Sequence, residues 1–145
     1  MRNHSSLIIH HSSFLMTPQL AALLPVEDVL QSLALPDRRL TLHRIFFDLY
    51  APSFPARARI PVAVALVGGS GSFNLSARLL DPGGREIARD GAQFTAAAVH
   101  VHLLTLTATL DAPGVYRLEA LIEEELLASL PLIVAAPPGA DDETV

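Results

Sequence analysis

The sequence predicts an all-β fold, an antiparallel sandwich of about seven or eight strands in a single domain. Three observations lead there. Half of the 145 residues are apolar and 17% are charged, so the chain carries enough hydrophobic area to offset the entropy of ordering it. From Leu40 onward apolar residues recur mainly at every second position, the repeat of a strand with one face in a core. Clusters of Pro, Gly and Asp punctuate that pattern at short intervals, as turns between strands do.

The first fifteen residues stand apart. His4-Ser5-Ser6-Leu7-Ile8-Ile9-His10 is followed at once by the near-copy His11-Ser12-Ser13-Phe14-Leu15-Met16, which has the look of a translated DNA repeat. Residues 1–15 are read as a mis-called or disordered leader ahead of Met16. On the competing reading, His4, His10 and His11 are a metal-binding tract. Ser12 and Ser13 interrupt the apolar run, so no signal peptide is expected. Residues 16–136 are read as the domain. Residues 137–145, with Pro137, Pro138, Asp141, Asp142 and Glu143, are read as an acidic disordered tail.

Within the domain, Thr17-Pro18 fits the start of a short helix through Leu24, while Val26 to Leu30 fits a strand; the strand is preferred because everything after it is β. Leu40 to Tyr50 is apolar on both faces, with the adjacent Phe46 and Phe47 necessarily opposite one another. In the next strand Ile60, Val62, Val64 and Leu66 alternate with Pro61, Ala63, Ala65 and Val67, so small residues cover its second face. Two-sided strands of this kind suit a covered outer face or a contact between copies. Gly68-Gly69-Ser70-Gly71 reads as a flexible turn between strands. Ser72 to Leu80 points Phe73, Leu75, Ala77 and Leu79 inward and ends at the turn Asp81-Pro82-Gly83-Gly84, from which Arg85 to Asp90 returns. The run Gln93 to Leu110 is apolar at the odd positions Val99, Val101 and Leu103, then at the even positions from Leu104, which predicts a bulge or sheet switch near Leu103 and Leu104. Val115 to Glu123 turns Tyr116, Leu118, Ala120 and Ile122 inward. Its return strand, Leu126 to Val134, contains Pro131 and is therefore placed at a sheet edge or bulge.

Asp111-Ala112-Pro113-Gly114-Val115-Tyr116 resembles the tyrosine corner of immunoglobulin-like sandwiches, and this implies Greek-key connections. Leu118 stands where antibody domains carry a cysteine. A second resemblance rests on Glu27-Asp28-Val29, Leu40-Thr41-Leu42, Pro52-Ser53-Phe54-Pro55, Arg78 to Ile87 and Pro113-Gly114-Val115-Tyr116-Arg117. Over roughly residues 20 to 136 these motifs resemble an uncharacterised bacterial family of small single-domain proteins, one of the domains of unknown function. The resemblance implies no activity and no catalytic residue. The chain departs from it at Arg44 or its neighbour, where a glycine is expected, and at Glu123-Glu124-Glu125, where an Asp-Gly hairpin is expected.

The composition excludes several chemistries. All ten basic residues are arginine, so there is no lysine for a Schiff base or a Walker-type phosphate loop. The absence of cysteine removes thiolate nucleophiles, Cys-ligated zinc, iron–sulfur clusters and disulfides, and suits a reducing cytoplasm. The arginines are scattered and the formal net charge is -5, which argues against nucleic acid as a partner. Uncharged stretches such as Ile60 to Ala77 are broken by Pro61 and by glycines and do not read as membrane spans.

No catalytic constellation emerges, and no cofactor is expected. His100 and His102, two apart on a strand, project from one face and are the candidate metal ligands; Asp48, Asp111, Glu119 or His43 would have to supply a third. The bland alternative is a solvated or partly buried structural role, on a polar face shared with Thr105, Thr107 and Thr109 if the chain bulges near Leu103. No helix or lysine follows Gly68-Gly69-Ser70-Gly71 to make it a phosphate loop. Glu27 and Asp28 point to opposite faces of a strand, which disfavours an acid–base pair. Arg57 and Arg59 share a side and have the spacing of a carboxylate clamp, or of a solvated pair. Ser70, Ser72 and Ser76 lack a nucleophile elbow. Glu123, Glu124 and Glu125 read as a solvated hairpin tip. Two functions are carried forward: a non-enzymatic interaction module that self-associates or binds a protein partner, and a small metal-binding protein built on His100 and His102.

Overall fold

The computed structural model describes residues 16–31 and 40–137, and every regular element among them is a strand. The expected leader, with His4, His10 and His11, and the tail from residue 138 lie outside the described residues. The strands are β1 (Gln19–Gln31), β2 (Leu40–Ile45), β3 (Asp48–Tyr50), β4 (Ala56–Leu80), β5 (Glu86–Leu110), β6 (Gly114–Ile122) and β7 (Glu125–Ala135). The segment from Gln19 through Leu24 is thus strand and not helix. Hydrogen bonding joins the strands in the order β2-β1-β4-β6-β7-β3, with β5 on β4. All pairs are antiparallel except β3 with β7.

β4 and β5, 25 residues each, form one long ribbon that serves two halves of a curled sheet. Their turn is fixed by Asp81, whose Oδ1 accepts the Arg85 N–H at 2.8 Å and whose carbonyl accepts the Gly84 N–H at 2.8 Å; Gly84 takes φ +88°. In the first half, residues 56–67 of β4 pair with residues 99–110 of β5, and residues 62–67 also pair with β1 on the other side. In the second half, residues 72–80 lie between residues 86–95 of β5 and β6, with β7 and β3 beyond.

Between the halves, Gly68, Gly69 and Gly71 all have positive φ, and the β4–β5 register shifts at Val67/Gly68 and again at Gly68/Ser72. The expected turn between two strands is therefore a bend within one strand, because glycines change its direction without ending the ladder. A Cβ on Gly69 would stand 2.7 Å from the Met16 carbonyl oxygen, so no larger residue fits there. The bend also exchanges faces. Ile60, Val62, Val64 and Leu66 are buried before it, and Phe73, Leu75, Ala77 and Leu79 after it. Both sets meet in one core with Leu104, Leu106, Leu110, Leu118 and Leu132.

Residues 46–47 bridge the two halves at the rim. The Phe46 N–H donates to the Pro25 carbonyl of β1, and the Ile133 N–H of β7 donates to the Phe47 carbonyl. Phe46 packs on the core while Phe47 is exposed, as their adjacency requires. Tyr116 forms the expected corner: it is buried, and its hydroxyl donates to the Ala112 carbonyl at 2.7 Å. At the β6–β7 turn Glu123 and Glu124 take φ 50° and 65°, and Arg44 takes φ 61°. These left-handed residues stand where the family resemblance called for glycine.

The predicted bulge near Leu103 and Leu104 is not formed. Pairing runs without interruption from Ala56↔Leu110 to Val67↔Val99, so the even positions of β5 stay inward and Val99, Val101 and Leu103 face out, 66%, 43% and 40% exposed. Register is a property of the whole strand, and it carries three apolar side chains to the outside. Pro131 lies in a stretch of β7 that pairs with β6 alone, β3 joining only from Ile133, which is the edge position expected of it.

Candidate functional site

The inner face of β5 brings His100 and His102 together at the margin of the core. His100 stacks on Phe94, with ring centroids 4.9 Å apart and planes 15° from parallel. Its Nε2 lies 3.1 Å from His102 Nδ1, so one nitrogen donates a proton to the lone pair of the other. The curl of the ribbon brings Asp90 to the same corner from the far half of the same strand. Asp90 Oδ2 accepts the Thr105 N–H at 2.9 Å, and Oδ1 accepts the Gly91 N–H at 2.8 Å. Burial holds the His102 imidazolium acid strengthened, its pKa lowered from 6.5; the neighbouring His100 acts in the same direction and the Asp90 carboxylate opposes both.

The carboxylates expected to complete a metal site are elsewhere. Glu119 is engaged by Arg78 on the outer face of the second half, Asp111 faces Arg85 at 3.8 Å, and Asp48 lies on β3 beside β7. The His43 side chain lies outside those described. Among the described residues no three His, Cys, Asp or Glu side chains are grouped to hold a metal. Both histidines are half-buried, and without the bulge near Leu103 they do not share a face with the threonines. The histidines share the inward side with Leu104 and Leu106, while the exposed Thr107 and Thr109 face outward. Asp90 was not legible as their neighbour, because the eleven residues of one strand between it and His102 hide a contact that only curling creates.

The second feature is the outer face and free edge of the first half. No Asp, Glu, Lys or Arg occurs from Gln19 to Val26, from Ile60 to Ala77 or from Gly91 to Leu110. Register places Val99 beside Val67, Val101 beside Ala65 and Ala22, and Leu103 beside Ala63 and Leu24, a continuous apolar surface across three strands. Among the described residues β5 is paired only to β4 and is an open edge. The Thr105 N–H points away from β4 toward Asp90, so alternation turns the backbone groups of Val99, Val101 and Leu103 away from β4 as well.

The outer face of the second half is charged and internally paired. Arg78 bonds Glu119 at 2.8 Å and lies 3.7 Å from Glu86; Arg89 bonds Glu86 at 2.8 Å and Glu124 at 2.9 Å. Arg117 Nε donates to Ser129 Oγ at 2.7 Å. Burial opposes ionisation of Glu119, yet Ser129 and Arg78 outweigh it and hold its pKa below 4.5; the Arg89 hydrogen bond does the same for Glu86.

The other sequence candidates do not converge. Arg57 borders a depression of about 430 Å³ with Arg85, Thr107, Thr109 and Asp111, whereas Arg59 borders a separate one of about 290 Å³ with Glu27, Asp48 and Tyr50. The Asp28 side chain lies outside those described. Glu123, Glu124 and Glu125 form an exposed hairpin tip. Among the described residues no helix is long and apolar enough to cross a membrane.

A profile of the Family of unknown function (DUF6941) matches residues 33–135. No curated protein matches the chain. Among solved structures it is similar to a glycosyl hydrolase family 2 member from Bacteroides cellulosilyticus, at 13% identity and TM-score 0.45 over 53% of this chain and 12% of that one. The chain thus spans a small fraction of that protein. It is also similar to the CARDB domain of a Pyrococcus furiosus protein, solved in complex with di-metal ions, at 13% identity and TM-score 0.45 over 86% of this chain and 97% of that one.

Proposed function

We propose that this chain, which belongs to the DUF6941 family, is a non-enzymatic, cytoplasmic interaction module, a Greek-key immunoglobulin-like sandwich that self-associates through the charge-free stretch of its β4–β5 ribbon on either side of Val101. The observation that carries the reading is the open β5 edge, with Val99, Val101 and Leu103 exposed beside it and no charge from Gly91 to Leu110. Edges of this kind are ordinarily blunted by charge, proline or a covering element. The Tyr116–Ala112 corner supports the immunoglobulin-like part of the reading.

A second copy is the fitting occupant. A strand edge offers each N–H beside its own C=O, so it is its own complement under a two-fold axis. With a formal charge of -5 per chain, two copies approach with least repulsion where neither is charged. Burial of the apolar surface contributes roughly 25 cal/mol per Å² before the costs of association.

The test is the native mass by light scattering of the full chain and of Val101→Glu. Val101 points outward, so the variant keeps its fold. A wild-type dimer that becomes a monomer in the variant, with the strand circular dichroism unchanged, is the expected result. A wild-type monomer across the concentration range would overturn the proposal.

A further inference from the structure

We infer that a divalent transition-metal ion binds on the two-fold axis of this association, ligated by His100 and His102 from each of two copies. The inference rests on the β5 pairing proposed above and assigns that interface a ligand. Three features of β5 lead to it.

The first is spacing. Two nitrogens each about 2.1 Å from one ion, with an angle between a right angle and the tetrahedral value, stand roughly 3.0–3.4 Å apart. His100 Nε2 and His102 Nδ1 are already 3.1 Å apart. The second is incompleteness. One chain offers two imidazoles, and among the described residues no third His, Asp or Glu joins them in a metal-holding group. A site of two protein ligands is short of the three or four that zinc ordinarily takes.

The third is register, which the chain itself restricts. Regular pairing of β5 in the first half begins at Val99, and the Thr105 N–H is already taken by Asp90. Among the described residues, the outward backbone groups in between that no hydrogen bond occupies belong to Val99, Val101 and Leu103. The two-fold arrangement that uses all three, and only these, centres on Val101: Val101 pairs with itself, and Val99 pairs with Leu103 of the second copy. It follows that His100 stands opposite His102 of the second copy, at a non-hydrogen-bonded position where Cα atoms are about 4.5 Å apart. Four imidazoles then form a two-by-two array on one face of a continuous sheet.

The experiment titrates zinc alone into the chelator-treated full chain, reading stoichiometry by calorimetry and native mass by light scattering. One zinc ion per two chains is expected. The step disappears in His102→Ala, which stays dimeric without metal, and in Val101→Glu, which is monomeric. Because only β5 is altered in these variants, their behaviour separates this site from binding by His4, His10 or His11. A wild-type dimer that takes up no zinc, or takes it up equally in His102→Ala, overturns the inference and leaves the self-association standing. A wild-type monomer with and without zinc overturns both. One zinc per monomeric chain also overturns the shared site.

Discussion

The same two strands present two opposite surfaces to solvent. In the second half of the β4–β5 ribbon the outer face carries Arg78, Glu86 and Arg89, tied to Glu119 and Glu124 on β6 and its turn. Its exposed apolar residues, Val115 with Ile133 at one end and Leu126 at the other, are kept apart by that lattice. In the first half Arg57 and Arg59 lie at one end of the outer face, and beyond them it carries no charge from Pro61 to Val67 or along the facing Val99 to Thr105, where apolar side chains stand side by side across β1, β4 and β5. Both halves pack on one core, so the difference is not a demand of folding. A surface that satisfies itself needs no partner; a surface that cannot is where association lowers the free energy.

Core truncations test whether the halves are one cooperative unit. Leu66→Ala in the first half and Leu79→Ala in the second, both buried, should each cost about 2–5 kcal/mol and shift a single urea transition. Two separated transitions would show that the halves fold independently. Next in size is the lattice. Arg78→Met removes the guanidinium from Glu119, which is 5% exposed, and should cost about 2 kcal/mol by leaving a buried carboxylate poorly paired. Since Glu119 and Glu86 have their pKa values lowered in the fold, their contribution is complete above 4.5 and is lost as pH falls through their folded values. Acid denaturation of Arg78→Met should therefore be shallower below pH 4.5 than that of the parent.

The histidine corner sharpens the comparison from the other side. His102 has its pKa lowered from 6.5, so the unfolded chain binds a proton that the fold resists. Stability should fall as pH drops below 6.5, and His102→Gln should flatten that limb of a stability–pH curve. A smaller effect is expected from salt: raising NaCl from about 0.1 to 1 M screens exposed charge pairs, so it should slightly weaken the second half's lattice while leaving the native mass unchanged. The smallest belongs to Glu124→Gly. Relief of its left-handed backbone, worth about 1 kcal/mol, is nearly offset by loss of the exposed Arg89 pair, so a melting shift of no more than a degree or two is expected.

Much of this was legible from period and punctuation. Phe73 to Leu79, Tyr116 to Ile122, the Asp81 turn and the edge position of Pro131 all follow from alternation and turn chemistry. The glycine-deprived turns at Arg44 and Glu123-Glu124 were visible only through the family resemblance, since neither sequence advertises left-handed backbone. Two readings failed for one reason. The shift of apolar parity at Leu103 and Leu104 predicts a bulge or sheet switch only if apolar means inward; pairing with β4 holds the register instead, and Val99, Val101 and Leu103 go outside. Likewise the four residues from Gly68 to Gly71 bend the strand without ending it. Both facts concern long-range pairing, which local pattern does not encode. Of the candidate site, His100 and His102 were legible from their spacing, but Asp90 was not.

Pro131 gives the proposed association a direction in which it cannot grow. If the β5 edge of one molecule joined the β7 edge of another, every addition would leave a fresh β5 edge exposed, and the product would be a fibre. The stretch of β7 open to such a joining includes a residue with no N–H to donate. Pairing of β5 with its own copy has no such gap, and it consumes both sticky edges at once. Polymerisation is thereby disfavoured in the covalent structure of one imino acid, and the assembly that the proposed β5 pairing would form is one that closes at two.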